Sequence, residues 1–113
     1  MPFDVDTVLA AYRGNRAIVA RLAGVFTVEV PRQLGELRQA LEHGDPSSGS
    51  RKAHTLKGAL MNFFYPRAVE LAESIEKQAE AGDLEGARRV FPELEATVLE
   101  MQRALENFSQ EPA

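Results

Sequence analysis

Along most of the chain, apolar residues recur at the spacing of an α-helix. The clearest series lies in the last third of the sequence, where spacings of three and four residues alternate without a break. It comprises Leu84, Ala87, Phe91, Leu94, Val98, Met101, Leu105 and Phe108. This pattern is typical of a helix packed in a bundle or a coiled coil. Pro92 lies inside the series, so we expect a kink or an early turn there.

Turn-forming residues separate this helix from earlier helical segments. Glycine suits the end of a helix, Asp and Asn cap the start of the next, and proline suits the first turn. Such signals occur at Gly14-Asn15, over residues 44–50, at Tyr65-Pro66 and at Gly82-Asp83. The pattern therefore predicts a short N-terminal helix near residues 5–12 and a longer helix near 66–81.

The segment VFTVEVP at residues 25–31 is ambiguous, because its β-branched residues also suit a strand. No second candidate strand exists to pair with it, and a lone strand would leave its backbone polar groups unsatisfied. The apolar spacing on both sides is helical, so we predict one helix over about residues 15–43, bent at Pro31. The chain is then all-α, and short connections favour an antiparallel four-helix bundle with a short accessory N-terminal helix.

Composition narrows the classes of function. A chain of 113 residues can form a single domain, which we expect to be ordered over about 4–108 with a frayed tail at 109–113. The formal net charge is −4 and Lys and Arg form no dominant cluster, which argues against nucleic-acid binding. The absence of cysteine excludes disulfides and thiol chemistry. No run approaches the ~20 apolar residues of a membrane span and the N-terminus has no basic region, so we expect a cytoplasmic protein.

The stretch AHTLKGALMNFF at residues 53–64 combines an apolar helical face with unusual polar positions. On a helical wheel with His54 at zero, Lys57, Gly58 and Met61 fall within about 60° of it. Tyr65 would join them if the helix continued that far. The opposite arc is predicted to be buried and holds Leu56, Ala59, Leu60, Phe63 and Phe64. The wheel therefore predicts that His54 is exposed near the middle of a helix.

An exposed histidine in this setting suits phosphoryl transfer. Its imidazole is largely neutral near pH 7, and the lone pair of one ring nitrogen can attack phosphorus. Lys57, one turn further along, can offset phosphate charge. Gly58 costs the helix about 1 kcal/mol relative to alanine, and close approach of a partner protein would explain it. Three basic residues nearby could complement an acidic partner: Arg51, Lys52 and Arg67.

Simpler explanations remain open at this point. An exposed histidine is most often an ordinary surface residue, Lys57 could be a solvated charge, and Gly58 could serve helix packing. His43 beside Gly44 is explained by the dipole of a helix end. The two histidines lie eleven residues apart, no pair has metal-ligand spacing, and no glycine-rich phosphate loop is present. We therefore expect neither a metal site nor an ATP site.

The stretch AHTLKG at residues 53–58 resembles the AHxLKG signature of histidine-containing phosphotransfer (HPt) domains. Similar positions occur both before and after it, so the resemblance covers about residues 5–108. Upstream they are Phe26, Leu34, Leu37, Ala40, Leu41 and Gly44-Asp45; downstream they are Ala68, Leu71, Ala72, Ile75, Glu76 and Ala81-Gly82-Asp83.

The resemblance implies a phosphorelay carrier of two-component signalling built on a four-helix bundle. His54 would accept a phosphoryl group from an aspartyl phosphate on a receiver domain and pass it to another receiver. Lys57 would be the charge partner and Gly58 the glycine that a partner contacts. Mg²⁺ would belong to the receiver, so the chain itself would need no cofactor and would not be an enzyme. A parent hybrid histidine kinase is possible if the chain is a segment of one.

The resemblance also implies partners, namely a response-regulator receiver domain, a hybrid histidine kinase, or both, and a monomeric chain. We expect the docking surface to centre on Gly58 and Met61, joined by Leu60 or Tyr65 and bordered by the basic residues named above. Phe64 stands where the family often has glycine, so we expect a different turn there, built around Tyr65-Pro66. The alternative is a non-catalytic helical bundle that binds a partner or dimerises through the apolar series of its last helix.

Overall fold

The computed structural model describes residues 2–111, and its regular structure is helical. The helices are α1 (Val5–Ala11), α2 (Arg16–Glu42), α3 (Pro46–Leu60), α4 (Pro66–Glu80) and α5 (Leu84–Gln110). A short 3₁₀ turn, Met61–Phe63, follows α3. No strand occurs within residues 2–111, and the ambiguous segment 25–31 lies inside α2. The predicted all-α fold class is confirmed.

The four longer helices form a closed, antiparallel bundle. Each packs against the next along the chain, and α5 closes the ring by packing against α2. Contacts between α2 and the α3 region establish the antiparallel register: Phe26 packs edge-on against Phe63 with ring centroids 4.9 Å apart, while Glu36 pairs with Lys52 at 3.3 Å. The short helix α1 packs on α2 and α5 at one end of the bundle, as an accessory element.

The turn signals of the sequence act as helix caps. Asn15, Asp45 and Asp83 accept hydrogen bonds from the backbone N–H groups that begin α2, α3 and α5, at 3.1, 3.1 and 2.9 Å. Proline occupies the first turn of α3 and of α4. These contacts satisfy backbone donors that have no partner within the helix, so they set where each helix begins.

The helices pass through both internal prolines. Pro31 lies inside α2 and Pro92 inside α5, so the early turn expected at Pro92 is wrong. A bend at either proline stays a prediction. Packing of the apolar stripes on both helices outweighs the loss of one backbone hydrogen bond at each proline. Both prolines line a groove between α2 and α5.

The C-terminal helix is longer than the sequence indicates. Helix α5 continues to Gln110, so Ser109 and Gln110 are helical and not part of a frayed tail. The remainder of that predicted tail includes Pro112 and Ala113, which lie outside the described residues. None of the helices within residues 2–111 is both long and apolar enough to cross a membrane.

Arg88 ties the end of α2 to α5, and its removal should destabilise the bundle. Its Nε and Nη2 groups donate hydrogen bonds to the Leu41 carbonyl oxygen at 2.9 and 2.6 Å. Because this carbonyl belongs to the last turn of α2, Arg88→Ala should lower the free energy of unfolding by about 1.5 kcal/mol. Urea denaturation measures the change. Arg89→Ala is the matched control, since Arg89 pairs with exposed Glu85 and should cost less than about 0.5 kcal/mol. Equal losses in the two variants would contradict this role.

Candidate functional site

His54 lies in the middle of α3 with its side chain 67% exposed, which confirms the predicted exposure. The buried side of the same helix is formed by Ala53, Leu56 and Leu60. Gly58, one turn after His54, is also exposed, and a Cβ added there would meet no atom within 4 Å. Gly58 therefore does not serve helix packing within the chain. The surface around His54 is open to a second protein.

Glu76 on α4 connects the two polar residues of this surface. The Glu76 Oε2 atom lies 2.8 Å from His54 Nδ1, and Oε1 lies 2.9 Å from Lys57 Nζ. Both charged side chains are largely shielded, with Lys57 20% and Glu76 17% exposed. Lys57 is thus not a solvated charge, because its ammonium group is held between α3 and α4.

The pKa values show that this pair is charged at neutral pH. Burial alone would raise the pKa of Glu76, but contacts with Lys57 and then His54 outweigh it, and the pKa lies below its ordinary value of 4.5. The pKa of Lys57 is raised, chiefly by its hydrogen bond to Glu76 and against the opposing effect of burial. An ionised carboxylate can only accept hydrogen bonds, so His54 Nδ1 carries the proton. The lone pair of the neutral imidazole then resides on Nε2.

Sequence reasoning did not assign Glu76 to the site. In the sequence, Glu76 is notable only as the last residue of a run whose positions resemble those of the family. It lies 22 residues after His54 on a different helix, so no helical spacing relates the two. Only the packing of α3 against α4 brings them together. One signal in the sequence could have identified it: Glu76 is an acidic residue on a helix that is predicted to lie beside the helix of His54.

Two residues proposed for docking lie in the core. Leu60 is fully buried, and Tyr65 is 7% exposed with its hydroxyl donating a hydrogen bond to Glu100 Oε1 at 3.0 Å. The assignment of Leu60 to the docking surface is therefore wrong. Tyr65 is mostly buried but lines a surface recess beside Met61 and Phe64. Helix α3 ends at Leu60 and the chain passes into a 3₁₀ turn, so the helical wheel no longer applies at Tyr65. Burial, followed by the hydrogen bond to Glu100, raises the pKa of Tyr65.

The other predicted docking residues lie at the surface. Met61 is 58% exposed, and Arg51 and Arg67 are exposed as well. Arg67 pairs with Glu93 at 3.5 Å, and half-buried Lys52 pairs with Glu36 at 3.3 Å. Among these cations, Lys52 is held toward α2 and is therefore less available to a partner than Arg51.

Phe64 adopts the left-handed conformation that glycine favours. Its φ and ψ angles are 55° and 40°, and Tyr65 and Pro66 then begin α4. That this turn differs from the family's turn stays a prediction. The turn also removes Phe64 from the buried arc on which the helical wheel placed it. Its ring is exposed to 49% and packs edge-on against Tyr12, with ring centroids 6.0 Å apart.

The left-handed conformation of Phe64 leads to a prediction about two substitutions at this position. A β-branched residue is disfavoured in the left-handed region, whereas asparagine tolerates it. Phe64→Val should therefore be less stable than Phe64→Asn by about 1 kcal/mol, although valine is the more hydrophobic replacement. Thermal denaturation of both variants measures the difference, and both lose the contact with Tyr12. A valine variant as stable as the asparagine variant would show that the turn does not require positive φ.

Comparison with known proteins identifies the family. The model of the Hpt domain family matches residues 21–110, which is most of the chain. This chain belongs to the Hpt domain family. The Hpt domain is also similar to the crystal structure of histidine-containing phosphotransfer protein B (HptB) from Pseudomonas aeruginosa PAO1. The TM-score is 0.87 at 19% sequence identity, over 98% of this chain and 96% of that one, which shows a shared fold. The comparison with curated proteins gave no match.

Membership in this family establishes the class of function. The Hpt domain is a phosphorelay carrier of two-component signalling, as the AHTLKG motif indicated. Within residues 2–111 of the Hpt domain, no group of three or more His, Asp or Glu side chains is arranged to hold a metal ion.

Proposed function

We propose that His54 is the phosphorylated residue of this Hpt domain. It accepts a phosphoryl group from an aspartyl phosphate on a receiver domain and passes it to another receiver. The observation that carries the proposal is the contact between His54 Nδ1 and Glu76 on a side chain that is otherwise exposed. This contact leaves Nε2 unprotonated and directed away from α4, where an incoming phosphorus atom can reach it.

In the proposed transfer the Nε2 lone pair attacks phosphorus. The bond between phosphorus and the aspartyl oxygen breaks, and the receiver carboxylate leaves with the electron pair. The Nδ1 proton stays in its hydrogen bond, where the Glu76 carboxylate offsets the positive charge that develops on the ring. Lys57 fixes Glu76 from the other side, so the ring is held in one orientation on a rigid helix.

The chain is proposed to act as a carrier and not as an enzyme. The Mg²⁺ that phosphoryl transfer needs would be bound by the receiver, and this chain would bring neither a cofactor nor an ATP site. We also propose a cytoplasmic monomer. The apolar series of α5 supports this, because seven of its eight members are buried inside the bundle and leave no seam for a coiled-coil partner: Ala87, Phe91, Leu94, Val98, Met101, Leu105 and Phe108.

We place the receiver-docking surface on Gly58, Met61 and Phe64, with Arg51 and Arg67 at its border. Met61 lies two helical turns after His54 on the same side of the chain, and exposed apolar side chains of this kind anchor transient interfaces. Met61 and Phe64 also border a recess of about 390 Å³, which is further lined by Tyr65, Pro66, Val69 and Glu70. An apolar side chain of the receiver would fill this recess.

Removal of the Met61 side chain should weaken receiver binding without changing the fold. Met61→Ala is expected to raise the dissociation constant roughly tenfold, because an interface anchor contributes about 1–2 kcal/mol. Titration calorimetry with a receiver that exchanges phosphate with the chain measures it. Leu99→Ala is the control, because Leu99 is similarly exposed but lies on α5. Unchanged affinity in Met61→Ala, or an equal loss in Leu99→Ala, would contradict this docking surface.

The experiment that tests the proposed function is transfer from a labelled receiver. A receiver domain carrying radiolabelled phosphate is incubated with the chain and Mg²⁺. We expect label on the chain that is labile in acid and stable in alkali, as phosphohistidine is. A chain that takes no label from the receivers it binds, or that forms a dimer without phosphate uptake, would instead support a non-catalytic interaction module.

A further inference from the structure

A notch of about 410 Å³ opens beside His54 on the surface of α3. It is lined by Ser50, Arg51, Lys52, His54, Thr55 and Glu76, and we call it the His54 notch. Side chains on a helix lean toward its N-terminus, so the His54 ring lies over the preceding turn, which holds Ser50 and Arg51. Lys57 belongs to the following turn and does not line the notch.

The cations around His54 differ in whether their charge is already paired. Lys57 is held by Glu76 at 2.9 Å and Lys52 by Glu36 at 3.3 Å. Arg51 is exposed, and its guanidinium group has no hydrogen-bond or ion-pair partner within residues 2–111. Arg51 is therefore the cation of the His54 notch that is free to bind an incoming anion.

The orientation of the His54 imidazole also favours Arg51 as the cation that meets the phosphoryl group. On the helical wheel, Lys57 and Arg51 lie about 60° from His54 on opposite sides. Lys57 is on the side of α4, where Nδ1 meets Glu76. The two nitrogens of an imidazole point in divergent directions, so Nε2 is turned away from Glu76. A phosphoryl group on Nε2 would thus lie on the side of Arg51.

We propose that Arg51, and not Lys57, is the residue that binds the phosphoryl oxygens on His54. The inference rests on the proposed role of His54 and assigns Lys57 an indirect part, through Glu76. As the bond from Nε2 to phosphorus forms and the bond to the aspartyl oxygen breaks, two N–H groups of Arg51 donate hydrogen bonds to phosphoryl oxygens. No proton leaves Arg51. The paired charge of Lys57 offsets Glu76, the acidic residue of the His54 notch.

The test follows the ³¹P resonance of the phosphorylated chain through a pH titration. A guanidinium in contact with the phosphoryl group favours its dianion, so Arg51→Gln should raise the titration midpoint by about one pH unit. Lys57→Gln should raise the midpoint by less than Arg51→Gln does, because Lys57 acts on the phosphoryl group only by offsetting the charge of Glu76. Arg89→Gln is the matched control, because Arg89 is an exposed arginine on α5 that pairs with Glu85 and lies outside the proposed docking surface. Phosphoryl uptake by Arg51→Gln should also slow roughly tenfold, with partial recovery in Arg51→Lys, which keeps the charge and loses the paired hydrogen bonds.

The possible outcomes separate this inference from the proposed function. If wild type is phosphorylated on His54 but its midpoint is insensitive to Arg51→Gln, the role of Arg51 is wrong and the carrier function stands. A midpoint that moves more with Lys57→Gln than with Arg51→Gln would assign the phosphoryl contact to Lys57. A wild-type chain that takes up no phosphoryl group would overturn both.

Discussion

His54→Gln is expected to abolish phosphoryl uptake while leaving the bundle folded. Glutamine has no nitrogen that can form the phosphoramidate bond, so the loss should be complete. The His54 side chain is 67% exposed and contributes one side-chain hydrogen bond, so the free energy of unfolding should change by less than about 1 kcal/mol. Label transfer from a phosphorylated receiver measures the first effect, and thermal denaturation measures the second.

The chain contains its own control for this variant. His43 is also exposed and lies at the C-terminal end of α2, away from Glu76. His43→Gln should retain full phosphoryl uptake. Label that persists in His54→Gln and disappears in His43→Gln would move the site to the other histidine. Unfolding of His54→Gln would contradict the exposure described for its side chain.

Glu76→Ala should have the second largest effect, a loss of roughly 10- to 100-fold in the rate of phosphoryl uptake. The variant removes the acceptor that holds the His54 ring in one tautomer and one orientation. It also leaves the shielded Lys57 ammonium without its partner, so the melting temperature should fall. Single-turnover transfer from a phosphorylated receiver measures the rate. Glu73→Ala is the control on the same helix, because Glu73 pairs with well-exposed Lys77 and should change neither quantity appreciably. An unchanged rate in Glu76→Ala would remove its positioning role.

Glu76→Gln separates the charge of this residue from its hydrogen bond. An amide can present either its oxygen or its NH₂ group to Nδ1, so the tautomer is no longer selected and the rate should lie between wild type and Glu76→Ala. Because the folded-state pKa of Glu76 lies below 4.5, its ionisation stabilises the native state above about pH 4.5. This stabilisation is lost as the pH falls through the folded-state pKa. The loss of stability on acidification should therefore be smaller in Glu76→Gln, and denaturation at several pH values measures it.

The features predicted correctly depend on local information. The alternation of apolar spacings reports which side of each helix is buried, so the helical fold and the exposure of His54 follow from the sequence. The segment 25–31 shows the same principle, because flanking helical periodicity decided against its strand propensity. Helix ends were also readable, since Asp and Asn caps and proline act within a few residues of one another.

The errors have two physical causes. Tyr65 and Phe64 were misplaced because α3 ends at Leu60 and the chain turns through a left-handed residue, a conformation that phenylalanine does not signal. Glu76 was missed because its contacts with His54 and Lys57 cross between helices, and a single sequence does not specify the register of two packed helices.

Mapping the phosphoryl group on the intact chain tests the central claim most directly. The chain is phosphorylated by a receiver, digested under alkaline conditions that preserve phosphohistidine, and analysed by tandem mass spectrometry. One modified peptide is expected, with the phosphoryl group on His54. A phosphoryl group on His43 or on any other residue, with His54 unmodified, would contradict it.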